Sequence, residues 1–336
     1  MVLKRLLSWL VLAVALIVGR ANAADLPKVV FGTDWLAEAE HGGFYEAQAL
    51  GLYRKHGIDV TIKMGGPQTN GNAAVSSGLV DFQLSSGSFS ALSMVQQQIP
   101  VIAVAAFFQK DPQVLISHPG QGLDHLADMK GHTILISAGA RTGLWQFLKS
   151  KFGFTDDQIR PYNFSMAPFL VDKSLIMQGF LSSEPFQIET QGGFKPVVNL
   201  LADNGFANYS DVILVQTKMV AEHPDIVRAF VDATAEGWYH YIYGDPKPGN
   251  DLIMAANKDM TPAIIDNAIA VMREHGIVDS GDSLTLGIGA MTPERWQGFL
   301  DTMTVAGVYP KGVDASRAYT LQFVNRKVGM ELKPAP

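Results

Sequence analysis

From Lys28 onward the chain alternates short runs rich in β-branched and aromatic residues with longer amphipathic stretches, and that alternation leaves few folds open. Lys28–Gly32, residues 58–62, residues 80–84 and Val101–Phe108 predict strands, and residues 43–56, 69–77 and 88–97 predict the helices between them. Val101–Phe108 (VIAVAAFF) has no polar position, as a strand buried on both faces requires. After Asp111-Pro112 a second cycle begins. Residues 114–117, 132–137 and 159–163 predict strands, and 142–152 and 171–178 predict helices. Residues 211–216 return to strand character, and the chain past Lys218 reads mostly as helix. Pro224, Pro262 and Pro293 stand at helix starts, where the missing N–H costs nothing. Strands joined to helices through short links imply parallel sheet and an α/β fold. Two such cycles in 336 residues imply two units with a helical C-terminal third.

The first 23 residues have a different character. Lys4 and Arg5 precede an apolar run over residues 6–18, and Arg20-Ala21-Asn22-Ala23-Ala24 offers small residues at A-x-A spacing. Basic, apolar and small in that order predict a signal peptide over 1–23, cleaved after Ala23. The apolar run is too short to span a bilayer comfortably. Its loss removes Lys4, Arg5 and Arg20 and takes the formal charge from −6 to −9. An acidic chain without a cluster of Lys and Arg has no means of displacing counterions from nucleic acid, so nucleic acid is not an expected partner. The chain contains no cysteine, which excludes disulfides, thiolate zinc sites, a thiol nucleophile and a lipid-attachment cysteine. With 47% hydrophobic and 17% charged residues, disorder is excluded too.

Three segments carry a resemblance. They are DWLAEAEHGGFYEAQALGLYRKHGIDVTI at 34–62, GGPQTNGNAAVSSGLVDFQLSSGSF at 65–89 and MVAEHPDIVRAFVDATAEGW at 219–238. Together they resemble bacterial periplasmic substrate-binding proteins of ABC importers. Within these they are most similar to the family that takes in nitrate, sulfonates, taurine and thiamine-pyrimidine precursors, the NMT1/THI5-like proteins. The resemblance implies a type II periplasmic binding protein fold: two α/β lobes, each a mainly parallel sheet flanked by helices, joined by two crossing segments near 109–113 and 204–211. Lobe 1 would be discontinuous (24–110 plus 208–336) and lobe 2 would span 111–207. It further implies a periplasmic monomer that closes by hinge motion around a small-molecule ligand. Binding would be noncovalent and free of any cofactor, and the partner would be an ABC permease in the inner membrane. The aromatic-rich first loop is most similar to the branch binding pyrimidines or related heterocycles. Eukaryotic pyrimidine synthases of the same superfamily carry a lysine for pyridoxal phosphate, a nearby histidine and a cysteine-rich segment. The matching loop here, Leu84-Ser85-Ser86-Gly87-Ser88-Phe89, has neither lysine nor histidine, so that chemistry is not expected.

In parallel sheets ligands sit beyond the carboxyl ends of strands, which directs attention to the loops. In the first loop Trp35 can stack on a planar ring, or pack against its own lobe. Asp34 and Glu38, with Glu40 beside them, can accept paired N–H bonds from an amino-heterocycle, or stand as solvated charges. His41 either touches ligand or opens the following helix. In the second loop Ser86, Gly87 and Ser88 let a ligand approach the backbone and the N-terminus of a helix, although Ser88 can equally serve as its cap. Ala138, Arg141 and Thr142 repeat that design in the second unit, where an oxygen-rich or anionic group would fit; Arg141 is equally readable as a surface charge. Glu184 precedes Pro185, which predicts an extended backbone aiming its side chain at the cleft. Gln109 is the polar residue able to face ligand at the end of Val101–Phe108. No catalytic residue or metal site is expected: there is no P-loop, G-x-S-x-G or complete G-x-G-x-x-G, and His118, His125 and His132 are separated by Pro119, Gly120 and Gly122. Three functions stay open: a binder of a small planar nitrogenous ligand, a binder of a small anion such as a sulfonate, nitrate or aromatic acid, and an exported hydrolase or transferase using Ser85, Ser86 or Ser88 with His41.

Overall fold

Ten strands carry the fold, and the computed structural model describes residues 26–334. The predicted signal peptide therefore lies outside the described residues. The strands are β1 (Lys28–Gly32), β2 (Asp59–Lys63), β3 (Phe82–Ser85), β4 (Val101–Phe108), β5 (Gln113–Ser117), β6 (Ile134–Ile136), β7 (Ile159–Pro161), β8 (Ile176–Phe180), β9 (Val197–Leu200) and β10 (Ser210–Gln216). They form two five-stranded sheets, in the orders β2-β1-β3-β10-β4 and β7-β6-β8-β5-β9. Each sheet has a single antiparallel member in its fourth place, β10 in the first and β5 in the second. The two odd strands are those entered where the chain passes from one sheet to the other. Residues 109–112 lead out of β4 into β5, and 201–209 lead back from β9 into β10. Two α/β lobes with two crossings are what the sequence pattern and the resemblance implied.

In the first sheet, α1 (Gly42–Ala49) and α2 (Leu52–Lys55) link β1 to β2. The sequence predicts one helix over 43–56. The chain instead breaks at Gly51, whose φ of 69° is left-handed and open to glycine at no steric cost. Next come α3 (Gly71–Ser77), capped by the Asn70 side chain, and α4 (Ser88–Gln96). The second sheet carries α5 (Leu144–Phe152), α6 (Ala167–Val171) and α7 (Glu184–Gly192). Here the prediction of a helix over 171–178 fails. Asp172 Oδ1 accepts from the Ser174 N–H (2.9 Å) and the Ser174 hydroxyl (2.7 Å), closing a turn that ends α6 and launches β8. The run Leu175–Met177 is apolar throughout, and periodicity alone does not separate a buried helix from a buried strand. Burial between β6 and β5 makes it strand. β9 was not foreseen at all.

The C-terminal third supplies α8 (Thr217–Glu222), α9 (Pro224–Tyr243), α10 (Lys247–Ala256), α11 (Pro262–Glu274), α12 (Ser283–Leu286) and α13 (Pro293–Val305). The 20-residue α9 is the spine of lobe 1 and packs along α1. Phe230 stacks on Phe82 at 4.1 Å between ring centroids, and Trp238 meets Phe44 and Phe108 edge-on. These rings bury the back of the first sheet and hold the start of α1 in place. The outer edge of β4 is partly covered by single bridges to Gly289 and Tyr319, which limits free strand edge. Helices α13 and α11 reach α5 and α7 of the other lobe.

Candidate functional site

The loops that leave the carboxyl ends of β1, β3, β6, β7 and β8 converge with the two crossings on one cavity of about 390 Å³. From the β1 loop come Asp34, Trp35, Glu38, Glu40 and His41. The β3 loop contributes Ser86, and the β6 loop contributes small residues including Ser137, Gly139 and Ala140. Tyr162 and Phe164 follow β7, while Gln178 and Phe180 end β8 and Glu184 opens α7. Asn208 comes from the returning crossing, and Gln113 and Asp211 from the starts of β5 and β10, which the two crossings enter.

Two contacts tie the walls together across the opening. Trp35 and Phe164 meet at 4.8 Å between centroids, and the Ser182 hydroxyl donates to Glu40. Phe164 in turn packs on Tyr162. Offset or tilted aromatic pairs of this kind contribute about 0.5–1.5 kcal/mol beyond burial. Phe164 holds a φ of 60° and remains 53% exposed, so its backbone is strained to present an aromatic ring to Trp35.

The charge balance is one-sided. Among the described residues five carboxylates line the cavity (Asp34, Glu38, Glu40, Glu184 and Asp211), and no lysine or arginine does. Burial pushes Glu38 well above the usual carboxyl range, and the neighbouring charges of Glu40, Asp34, Glu184 and Asp211 push it the same way. Asp211 is raised well above its ordinary value by burial, with Asp34, Glu40 and Asp111 adding to it. Glu184 is raised chiefly by burial, against the bonds it accepts from the Phe180 N–H (2.7 Å) and the Tyr162 hydroxyl (3.1 Å). His41 Nε2 lies 3.3 Å from Asp34 Oδ1; because a carboxylate only accepts, Nε2 carries the proton. His41 Nδ1 has no partner. Below the cavity a polar chain spans the first crossing: Asn208 Nδ2 donates to Asp111 Oδ2 (2.6 Å), and the Gln113 N–H donates to Asp111 Oδ1 (2.9 Å). Gln178 then accepts from the Ser137 N–H and hydroxyl, each at 3.1 Å.

The model of the NMT1/THI5-like family matches residues 38–248, most of both sheets. The chain belongs to the NMT1/THI5-like family. A riboflavin-binding protein, RibY, of Chloroflexus aurantiacus is 25% identical over 309 residues, which cover 89% of this chain and 86% of that protein. The 4-amino-5-hydroxymethyl-2-methylpyrimidine phosphate synthase of Schizosaccharomyces pombe is also 25% identical, over 221 residues covering 61% of this chain and 63% of the synthase. Among solved structures, the alkanesulfonate-binding protein SsuA of Xanthomonas axonopodis pv. citri superposes with a TM-score of 0.64 at 14% identity, covering 89% of this chain and 99% of that one. That likeness establishes the type II periplasmic binding protein fold. The NMT1/THI5-like relatives thus include a named binder and a named synthase.

Of the residues singled out in the sequence, Asp34, Trp35, Glu38, His41, Ser86 and Glu184 line the cavity of this NMT1/THI5-like chain; Gly87, Ser88, Gln109, Ala138, Arg141 and Thr142 do not. Gly87 (φ 129°) lies against the returning crossing, where a Cβ would fall 1.9 Å from Tyr209 O. Ser88 is spent on the same strand, its N–H donating to Tyr209 O (3.1 Å) and its hydroxyl accepting from the Tyr209 N–H (3.2 Å). The expected helix N-terminus there is therefore closed by the chain itself. Gln109 is fully buried and donates to Ala106 O (3.1 Å) and Ala290 O (2.9 Å), bracing the crossing. Ala138 and Thr142 are exposed on a single 3-10 turn, and Arg141 lines a separate surface depression with Trp145, Gln146, Asp156 and Ile159. Glu184 reaches the cleft from the first turn of α7, not from the extended backbone the Pro185 rule suggested. Phe164 and Gln178 were missed. Both follow from the rule that strand ends carry sites, once β7 and β8 are drawn correctly. Asp211 was read only as strand.

Proposed function

We propose that this protein is the solute-binding component of an ABC import system, exported to the periplasm, where it captures a small planar nitrogenous ligand and delivers it to an inner-membrane permease. It acts as a monomer, with lobe 1 formed by 24–110 and 208–336 and lobe 2 by 111–207, closing on the ligand without chemistry and without a cofactor. No helix among the described residues is long and apolar enough to cross a membrane, in keeping with a protein that works off the bilayer. One observation carries the choice of ligand: a cleft between two lobes that offers aromatic faces and carboxylate acceptors and no cation. Such a surface favours flat rings bearing N–H donors. Riboflavin, in the name of one relative, and the aminopyrimidine in the name of another are both planar nitrogen heterocycles.

The small-anion reading loses its main residue, since Arg141 stands outside the cavity. A sulfonate or nitrate placed here would face five carboxylates with no basic side chain in the lining. The hydrolase reading is weakened as well. Ser85 donates to Val212 O (3.0 Å) and Ser88 is held by Tyr209, which leaves Ser86 as the one of the three serines that lines the cavity with His41. A thermal-shift screen over pyrimidines, thiamine, riboflavin, taurine and nitrate tests the proposal. A planar nitrogenous compound at a hundred times its Kd stabilises the protein by about 2.7 kcal/mol. A response confined to sulfonates or nitrate would overturn it.

A further inference from the structure

We propose that the cleft takes its ligand as a cation: an organic molecule whose positively charged nitrogen seats against Asp211 while the aromatic walls cover its flat faces. The inference rests on the solute-binding reading above and adds the sign of the ligand's charge.

Asp211 is the telling residue. It is only 7% exposed, it lines the cavity, and its Oδ2 has no hydrogen-bond partner among the described residues. Buried carboxylates are ordinarily paired or fully hydrogen-bonded, because an unpaired one loses its hydration and gains nothing in return. Asp111, on the first crossing and close enough for its charge to act on Asp211, shows the ordinary solution. Asn208 and Gln113 satisfy both of its oxygens, and the Arg295 charge favours its ionised form. Among the described residues Asp211 has neither a donor on Oδ2 nor a pairing cation, and the residue lines the cavity wall. His41 stands in the same condition: it is 2% exposed, it lines the cavity, and Nδ1 lacks a partner.

The rest of the cavity fits the same occupant. Asp34, Glu38 and Glu40 face it from the β1 loop and Glu184 from α7, without a lysine or arginine among the lining residues. Three of these four carboxylates lie on one loop and the fourth on the facing lobe. Among the described residues no group of three or more His, Cys, Asp and Glu is placed to hold a metal ion. The complementary charge is therefore one spread over an organic frame. Trp35, Phe89, Tyr162, Phe164, Phe180 and Phe206 supply aromatic faces, which attract cations through the ring quadrupole. The formal charge of −6 for the whole chain draws cations toward it as well.

A neutral ligand rich in N–H donors is the competing occupant, and protons separate the two. Glu38, Glu184 and Asp211 hold protons to higher pH than free carboxyls. A cation must displace such protons and so binds more tightly as pH rises, whereas a neutral donor leaves them in place. The probes are three flat molecules of similar size: N-methylnicotinamide methylated on the ring nitrogen (a pyridinium cation), nicotinamide (neutral) and nicotinate (anion), with choline as a cation that is not flat. Titration calorimetry is run at about pH 8 and about pH 5.5 in buffers of different ionisation enthalpy.

At the higher pH, N-methylnicotinamide should bind about tenfold or more tightly than nicotinamide, nicotinate should not bind, and the preference should shrink at the lower pH with proton release on binding. Asp211→Asn should remove most of the cation's advantage over nicotinamide. Asn tolerates the local φ of 48° as well as Asp does, and Glu38→Gln provides a second variant should the first fold poorly. Equal binding of nicotinamide and N-methylnicotinamide, no binding of either cation at millimolar concentration, or an unchanged cation Kd in folded Asp211→Asn would overturn the proposal. Tight binding of the neutral member alone would do so while leaving the planar-ligand reading intact. Choline binding as tightly as N-methylnicotinamide would support the charge and overturn the planar reading instead.

Discussion

The loop that leaves β1 and the loop that leaves β6 hold equivalent places, each following the second strand of a sheet with the same internal order. Their chemistry is opposite. The first brings Asp34, Trp35, Glu38, Glu40 and His41 to the cavity; the second brings Ser137, Gly139, Ala140 and Gly143. Four of the five lining carboxylates, counting Asp211 on β10, belong to lobe 1, and Glu184 alone comes from lobe 2. Lobe 2 answers with surface that fits more than it charges: Tyr162, Phe164, Phe180 and the amide of Gln178. One scaffold used twice has thus separated two tasks. In the proposed function, lobe 1 sets which charge is welcome and lobe 2 closes over the flat faces. The sheets are alike, so the division resides in the loops.

If that division is right, the largest effect on affinity belongs to Trp35, the aromatic residue of the charged lobe that reaches across to Phe164. Trp35→Ala removes stacking and the apolar area the indole covers, roughly 2–3 kcal/mol at about 25 cal/mol per Å². Affinity for the planar ligand returned by the shift screen should fall about thirty- to two-hundredfold. Calorimetry on a variant with parental melting behaviour checks this, and unchanged binding would mean the site lies elsewhere. Next comes the one carboxylate lobe 2 contributes. Glu184→Gln keeps an acceptor for the Phe180 N–H and removes the charge, so an amino-heterocycle or cation should lose about 1.5–3 kcal/mol. A gain in affinity on that substitution would reverse the roles assigned to the two walls.

The same contrast explains what could be read from the sequence. Lobe 1 was legible because its strands and its site loop sit in tandem. β1 and β4 were delimited to the residue, and Asp34, Trp35, Glu38 and His41 follow β1 directly. Lobe 2 is harder because its strands are short or interrupted by polar residues, as Arg160 in β7, Gln178 in β8 and Asn199 in β9 show. β6 and β7 have three residues each, and β8 is a run whose period does not tell strand from helix. With β8 misassigned, Gln178 vanished from view. Arg141 was credited to the cleft because a basic residue near a helix start suggests an anion site. Only the three-dimensional path of the 3-10 turn shows it directed away. Asp211 is illegible for another reason: nothing local distinguishes a strand aspartate with a satisfied side chain from one left without a partner.

Lobe 1 also carries acid behind the site. Glu46 on α1 is fully buried, with Oε2 accepting from the Gly249 N–H of α10 (2.7 Å) and Oε1 lacking a partner. Burial pushes it up from an ordinary 4.5 to about 7, with Asp245 adding to the shift. Between those values the folded chain holds a proton that the unfolded chain has released, so the contribution of Glu46 to stability is greatest below about pH 4.5 and declines as pH rises toward about 7. Glu46→Gln should remove that decline and raise stability at about pH 8 by something on the order of 2 kcal/mol. Hydrogen exchange should show α1 and α10 loosening with rising pH before the second sheet does. A parent whose melting temperature tracks that of Glu46→Gln across this range would refute the assignment.

The smallest effect is expected at Arg141, and its smallness is the point. Residues 137–143 hold the lobe 2 place that corresponds to the acidic loop of lobe 1, and Arg141 is the charge they contain. Were it part of the binding wall, the two lobes would be electrostatically complementary and an anionic group would have a natural seat. The structure instead exposes Arg141 beside Trp145, Gln146, Asp156 and Ile159, in a depression separate from the cavity. Its charge is then screened by solvent, and surface charges of this kind contribute about 0–1 kcal/mol to any distant interaction at moderate salt. Arg141→Gln should leave the Kd of a planar nitrogenous ligand within about twofold of the parent and leave sulfonate binding as weak as before. A tenfold loss, above all one confined to anions, would place a cation in lobe 2 opposite the carboxylates of lobe 1. The cleft would then be a site for a zwitterion, and the separation of tasks between the lobes would have to be redrawn as a pairing of charges.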